Sequence, residues 1–304
     1  MKEEIISPIT KTNDVRIVAI IPVERVIELY KRKIRIDVQK YFNDVKQLTI
    51  YKCNKTNLRF FTPFSAAGDE SFYVELDRVR PQHRTRWKWE HEQIINHITS
   101  GMKVLEIGCG WGTFLRKAKE NGALVTGLEL TKNVVESNLD LDLRAELIEQ
   151  HAIDNVGMYD LVCSFQVVEH IVELNSFLKK SIECLKAGGK FVISVPNYDC
   201  YLFRKDFDHT LNLPPHHISL WSKSALINIA QIYGLSVEEV ITQPVSEKEY
   251  GQYYEVFLRN TIKLSNNKIR EKIYTWTLPV VKKLFFRFFP PKVYTCITVI
   301  YKKQ

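Results

Sequence analysis

The residues best suited to chemistry fall in three places. The first is the run Val104-Leu105-Glu106-Ile107-Gly108-Cys109-Gly110-Trp111-Gly112-Thr113-Phe114-Leu115. An apolar strand passes through alternating glycines into a helix. Glycine permits the tight turn and lets the backbone approach a bound group closely. The helix start adds unpaired N–H donors at the same place. The second is Glu129, followed by Leu130, at the end of the next apolar segment Thr126-Gly127-Leu128. A carboxylate there, about 20 residues past such a loop, can accept hydrogen bonds from both hydroxyls of a ribose. The third comprises Glu169-His170 and the loop Leu213-Pro214-Pro215-His216-His217. Histidine is the commonest general base, and a hydroxyl nucleophile benefits from one.

The glycine spacing discriminates between ligands. A dinucleotide site needs G-x-G-x-x-G. Here the third glycine, Gly112, comes one residue early and Thr113 follows it. Glu106 would also face a pyrophosphate at an electrostatic cost. A cationic amino group suits it better.

The elements that must position these residues follow from hydropathy patterning. From Met102 onward, strands are expected at 102–107, 124–129, 145–149, 159–164 and 189–195, with helices between, including Phe114 to Glu120 and Ser176 to Leu185. Such alternation implies a doubly wound α/β domain with a parallel sheet and right-handed crossovers. Gly188-Gly189 turns into the fifth strand. A helix at 223–233 ends at Gly234, a strand follows at 236–241, and a last strand lies at 294–301. Between those strands, about 245–290 reads as a helical insertion. Residues 1–82 read as a small mixed α+β segment. It has a helix from Glu24 to Lys33, a cap at Asp37 and a hairpin of Leu48 to Cys53 with Leu58 to Thr62. A helix from His83 to Ile98 leads into the main domain, 83–304.

Several motifs resemble class I S-adenosylmethionine (SAM)-dependent methyltransferases. Glu106 to Gly112 resembles their first motif, and Glu129 their ribose-binding acid. Tyr159 to His170 resembles their fourth strand and loop, and Leu185 to Lys190 the turn into the fifth. Trp87-Lys88-Trp89-Glu90-His91 is similar to a segment that closes over SAM in a bacterial branch, which also carries a Pro-Pro-His-His loop. The resemblance implies a Rossmann-like seven-stranded sheet with its last strand antiparallel. It implies SAM as cofactor and S-adenosylhomocysteine as product. By the same resemblance Gly108, Cys109, Gly110, Gly112, Glu129 and Leu130 hold the nucleoside, and Glu106 orients the amino acid. Phe165 and Gln166 then line the floor beside the methyl group, and Trp89 lies in the closing segment.

The implied reaction is O-methylation of a hydroxyl on a glycan, sugar-linked or small-molecule acceptor. His216 and His217 are the first candidate catalytic residues and Glu169-His170 the second; Asp208 and His209 are a weaker pair. Two alternatives remain open: a catalytically inactive SAM-binding regulator, and N- or C-methylation of a small metabolite. Related ubiquinone-pathway enzymes carry a metal-binding E-x-x-E-H. Gln166 replaces its first Glu, which removes a charged oxygen ligand, so no metal is expected. Related proteins also begin with two C-x-x-C pairs. At Ser7 to Thr10 and Cys53 to Thr56 only Cys53 retains its sulfur, too few ligands for structural zinc.

Bulk properties bound the class. The chain has 304 residues, 45 % hydrophobic, with a formal net charge of +8 spread along its length. That balance excludes a disordered chain. There is no concentrated basic helix, so a nucleic-acid partner is not favoured. The 6 cysteines show no C-x-x-C spacing, which points to a reducing, cytoplasmic setting. No signal peptide or transmembrane segment is expected. Residues 276–292 alternate aromatic and basic side chains, a pattern suited to peripheral contact with the inner membrane face. Nothing in the sequence fixes an oligomeric state.

Overall fold

The computed structural model describes residues 4–80, 85–200, 209–244 and 294–304, with residues 256, 269, 272, 273, 275–277 and 280. The N-terminal unit contains β1 (Val15–Pro22), α1 (Val23–Leu29), β2 (Gln47–Cys53), β3 (Arg59–Thr62) and α2 (Glu70–Val79). α1 continues as a wider turn over Tyr30–Ile34, stopped by Arg35 in the left-handed region at φ 66°. β2 and β3 form the expected hairpin. β1 pairs antiparallel with β2, from Val15 opposite Cys53 to Pro22 opposite Gln47. Asp69 caps α2 by accepting from the Phe72 N–H at 3.1 Å, and Phe72 and Leu76, four residues apart, supply its buried face.

The main domain follows with α3 (Trp89–Ile95), β4 (Lys103–Ile107), α4 (Thr113–Glu120), β5 (Leu124–Leu128), α5 (Lys132–Ser137) and β6 (Asp142–Arg144). Then come α6 (Ile148–Asp154), β7 (Tyr159–Phe165), α7 (Leu174–Glu183), β8 (Leu185–Pro196) and β9 (Ser219–Leu220). The described elements end with α8 (Lys223–Ile232), β10 (Leu235–Pro244) and β11 (Tyr294–Lys303). The main sheet has 7 strands in the order β10-β11-β8-β7-β4-β5-β6, and β11 runs antiparallel to both neighbours. Its central strands are buried on both faces. Leu105, Val162 and Ile193 pack into one layer, and Val104, Leu161 and Val192 into the other, as the two-residue strand period requires.

Two expectations need correction. The strand predicted at 145–149 is instead β6, at Asp142–Arg144, and Ile148 already begins α6. β6 is an edge strand, so polar residues suffice there. Thr126 Oγ1 donates to Asp142 at 3.1 Å, and Arg144 pairs with the same carboxylate at 3.0 Å. The helix predicted from His83 to Ile98 covers only Trp89–Ile95 among the described residues. The N-terminal segment is tied to the main domain by a strand from beyond residue 82. β9 completes the N-terminal sheet in the order β1-β2-β3-β9, and Leu213, Ile218 and Leu220 belong to the N-terminal core. Except for isolated residues, the predicted insertion at 245–290 and the basic stretch 276–292 lie outside the described residues, as does Asp208.

All 6 cysteines are buried free thiols. Ser7, Thr10, Cys53 and Thr56 converge. Burial pushes the Cys53 thiol up, but hydrogen bonds from Thr56, Ser7 and Thr10 outweigh it and leave the thiol below its ordinary value. Among the described residues no helix is long and apolar enough to cross a membrane.

Candidate active site

The glycine loop leaves the carboxyl end of β4, where open α/β sheets bind ligands. The Gly108 and Cys109 N–H groups donate to the Leu128 carbonyl at 2.8 and 3.1 Å. Gly108, Gly110 and Gly112 all have left-handed φ, at 73°, 53° and 69°. A Cβ on Gly108 would overlap Val167 Cγ2, and one on Gly112 would overlap Leu141 Cδ1. Gly108→Ala therefore combines backbone strain with overpacking, each worth roughly 1–3 kcal/mol. Urea unfolding is expected to show a loss of about 2–4 kcal/mol, and an unchanged midpoint would refute this account of the turn.

Glu129 ties the loop to β5. One carboxylate oxygen accepts from the Gly110 N–H at 3.1 Å and the other from the Thr131 N–H at 2.9 Å. A carboxylate oxygen can accept more than one hydrogen bond. Leu130 is exposed beside it, whereas the Cys109 side chain turns inward against Leu115 and Leu141. Glu106 is 3 % exposed, and its Oε2 has no hydrogen-bond partner among the described residues. Burial pushes its carboxyl up to about 8, while the Lys88 ammonium pulls it down and the Glu129 charge adds to the rise. A buried carboxyl with an unsatisfied oxygen is stabilised by a cationic partner.

The segment before α3 lies across the loop. Thr113 Oγ1 donates to the Thr85 carbonyl at 3.2 Å, and Trp89, half-buried, opens α3. His91 packs between Phe114 and Phe165, with ring centroids at 5.4 and 5.1 Å. Burial, then the Lys88 charge, hold its imidazole down at about 3, so it stays neutral. Phe165 is buried in this aromatic cluster. Gln166 follows at φ 59° and donates from Nε2 to Cys296 Sγ at 3.2 Å.

The histidines predicted from two distant stretches meet in space. The His170, His216 and His217 rings stand with centroids 4.5–4.9 Å apart. Val167, which Gly108 abuts, is three residues before His170, so the cluster adjoins the glycine loop. The Ile218 N–H donates to the Glu169 carbonyl at 2.9 Å, fixing one loop to the other. Glu169 is 1 % exposed, and neither carboxylate oxygen has a hydrogen-bond partner among the described residues. Burial pushes its carboxyl up to about 8.

The N-terminal unit walls this cluster. Tyr30 Oη donates to the Leu213 carbonyl at 2.8 Å. The Gly68 N–H donates to the Pro215 carbonyl at 2.8 Å. The Tyr73 ring stands edge-on to His170 at 5.7 Å. Tyr30, Tyr73 and Lys88 escaped the sequence expectations as site residues. Their only local signal was Tyr30 on the buried face of α1 and Lys88 within the closing segment. His209, by contrast, does not join the three-histidine cluster.

These features of residues 85–220 coincide with a match to known proteins. The methyltransferase-domain family matches residues 80–240. The chain belongs to that family. This methyltransferase uses S-adenosylmethionine as its methyl donor. The orphaned Glu106 oxygen, the crowded glycine turn and the two-oxygen acceptor at Glu129 fit that cofactor's amino group, backbone approach and ribose. The methyltransferase is 28 % identical over 190 residues to the ubiquinone biosynthesis O-methyltransferase of Pseudomonas aeruginosa, covering 55 % of this chain and 79 % of that protein. It is 31 % identical over 105 residues to the ubiquinone biosynthesis O-methyltransferase of Escherichia coli, covering 32 % of this chain and 44 % of that protein. A SAM-dependent methyltransferase structure from Archaeoglobus fulgidus superimposes with a TM-score of 0.50 at 20 % identity, over 77 % of this chain and 100 % of that chain. It shares the fold.

Proposed function

We propose that this methyltransferase O-methylates a hydroxyl of a glycan, sugar-linked or small-molecule acceptor. The observation that carries the reading is the three-histidine cluster beside the cofactor loop. Bound SAM supplies an electrophilic methyl group on its sulfonium. The residues of the chain do the rest. The glycine loop and Glu129 hold the nucleoside. Glu106 takes the amino group. The His170/His216/His217 cluster receives the acceptor hydroxyl and draws off its proton. Much of the acceleration in such a displacement comes from holding the two reactants in line. The similarity to O-methylating relatives supports oxygen as the methylated atom. Residues 276–292 are proposed as a peripheral membrane contact.

The first test is calorimetric titration of the purified chain with SAM, S-adenosylhomocysteine and NAD. Binding of the first two and not the third is expected. Screening hydroxyl acceptors for S-adenosylhomocysteine release then assigns the substrate. Folded protein that binds NAD and ignores SAM would overturn the reading. An active enzyme that methylates only nitrogen or carbon would overturn the assignment of oxygen.

The Glu106 carboxyl makes a separate prediction. Lys88, Glu129 and the buried Cys163 thiol are the titratable groups acting on it. Without ligand it holds its proton below about pH 8. An ammonium opposite favours the carboxylate, so binding expels that proton. Affinity should rise from pH 6 to 7, by at most about tenfold per unit, while the ligand's own amino group is still a cation. Calorimetry near pH 6.5 in two buffers of different ionisation enthalpy should show proton release, absent in Glu106→Gln. Binding without release in the wild type would refute the assignment.

A further inference from the structure

We propose that His170, His216 and His217 form a binding site for one divalent transition-metal ion of imidazole preference, with Zn2+ as the type. The inference rests on the reading of this cluster as the acceptor side of the active site, and it names what acts there.

The geometry points the same way from several sides. One ring nitrogen of each histidine lies within 4.8 Å of those of the other two, and these residues are the one such group of three found among the described residues. Tetrahedral zinc with bonds of about 2.0–2.1 Å needs ligand nitrogens roughly 3.4 Å apart. Side-chain rotation closes that gap, and it must open the 20° stack of His216 on His217. The tautomers are already set. His170 Nδ1 donates to the His216 carbonyl at 2.6 Å, and His216 Nδ1 to the Leu211 carbonyl at 3.0 Å. A carbonyl only accepts, so both rings carry a proton on Nδ1, and Nε2 is the atom through which each would take a metal. Metal-binding histidines are usually oriented in this way, by a second-nitrogen bond to a carbonyl or carboxylate.

Glu169 supplies an independent observation. Its carboxyl is buried without a hydrogen-bond partner on either oxygen. It lines, with His217, Asn212 and Tyr198, a cavity of about 10 Å³, the volume of one water or ion. An ion held by His217 at the edge of this cavity would lie near a buried acidic group that accepts no hydrogen bond from another described residue and that otherwise feels the charge of Lys88. Bound at the cluster, the ion would also coordinate the acceptor oxygen and make its hydroxyl a stronger acid. The acceptor proton would then leave to water, and the histidines that receive the acceptor would draw it off through the metal rather than as a free base.

The test uses the full chain, stripped with a chelator and titrated with Co2+ under visible absorption. One equivalent should give the intense d–d bands of a tetrahedral site, and Zn2+ should displace it. His170→Ala and the pair His216→Gln/His217→Gln should each weaken Co2+ binding at least ~10-fold. His97→Ala, at the end of α3, should leave it unchanged. Each variant is first checked for a wild-type melting transition, and the glutamine pair carries the test if His170→Ala unfolds. A folded wild type with no saturable Co2+ spectrum overturns the proposal. So does equal binding by wild type and cluster variants. Calorimetry of the metal-free chain with SAM separates this from the cofactor reading. SAM binding without Co2+ binding overturns the metal site alone. Co2+ binding without SAM binding overturns methyl transfer as the function of the cluster and leaves the ion site standing.

Discussion

Replacing His216 and His217 together by alanine should lower methyl transfer about 10²–10⁴-fold while SAM affinity stays within threefold. The range is that of a lost acid–base partner. Both side chains belong to the cluster beside His170. The proposed cofactor contacts lie at Glu129 and the glycine turn, so the loss should fall on turnover. The residues sit against Phe72 and Tyr73, so thermal melts must show that the variant folds; the single His217→Asn is the fallback. The readout is S-adenosylhomocysteine release with an acceptor from the screen, paired with calorimetric SAM affinity. An established activity that survives both substitutions would remove the cluster from the chemistry. Intact SAM binding with no acceptor turned over by the wild type would favour the regulatory alternative.

The second large effect belongs to Glu129. Glu129→Ala removes a carboxylate that is nearly fully buried and accepts from the Gly110 and Thr131 N–H groups. Two charge-assisted bonds to the ribose, at roughly 1.5–3 kcal/mol each, would be lost. Two backbone donors would also lose their acceptor, which loosens the loop. SAM binding should weaken at least ~100-fold. Glu129→Gln keeps one acceptor oxygen and should fall between the two. A dissociation constant for the alanine variant within threefold of wild type would place the ribose elsewhere.

These predictions rest on residues that were legible to different degrees. The glycine loop, Glu129 and the alternating strands could be read locally. A left-handed turn favours glycine, and at Gly108 and Gly112 a Cβ would also collide with a neighbour. A central parallel strand must be apolar on both faces, so β4, β7 and β8 announce themselves. β6 could not be read in this way. As an edge strand it is held by the side-chain bonds of Asp142 and Arg144, and no hydrophobic pattern marks it. α2 escaped for a related reason: only Phe72 and Leu76 face inward, too few to stand out among charged neighbours.

The sequence by itself determined the glycine turn and the acid after β5 on which the proposed cofactor side is built, because those requirements are written within a few residues of backbone. Histidine chemistry at 170, 216 and 217 was also visible as residue types in two loops. Only the tertiary structure decided that the three rings share one place. It did so through contacts between segments more than 40 residues apart: the Ile218 N–H on the Glu169 carbonyl, and His170 on the His216 carbonyl. It also decided that the N-terminal unit walls that place, with β9 closing its sheet and Tyr30 bonded to Leu213 across 183 residues of chain. Such pairings carry no local signature, since each partner is an ordinary residue until the chain is folded. That is why the glycine loop could be named from the sequence and the three-histidine centre could not.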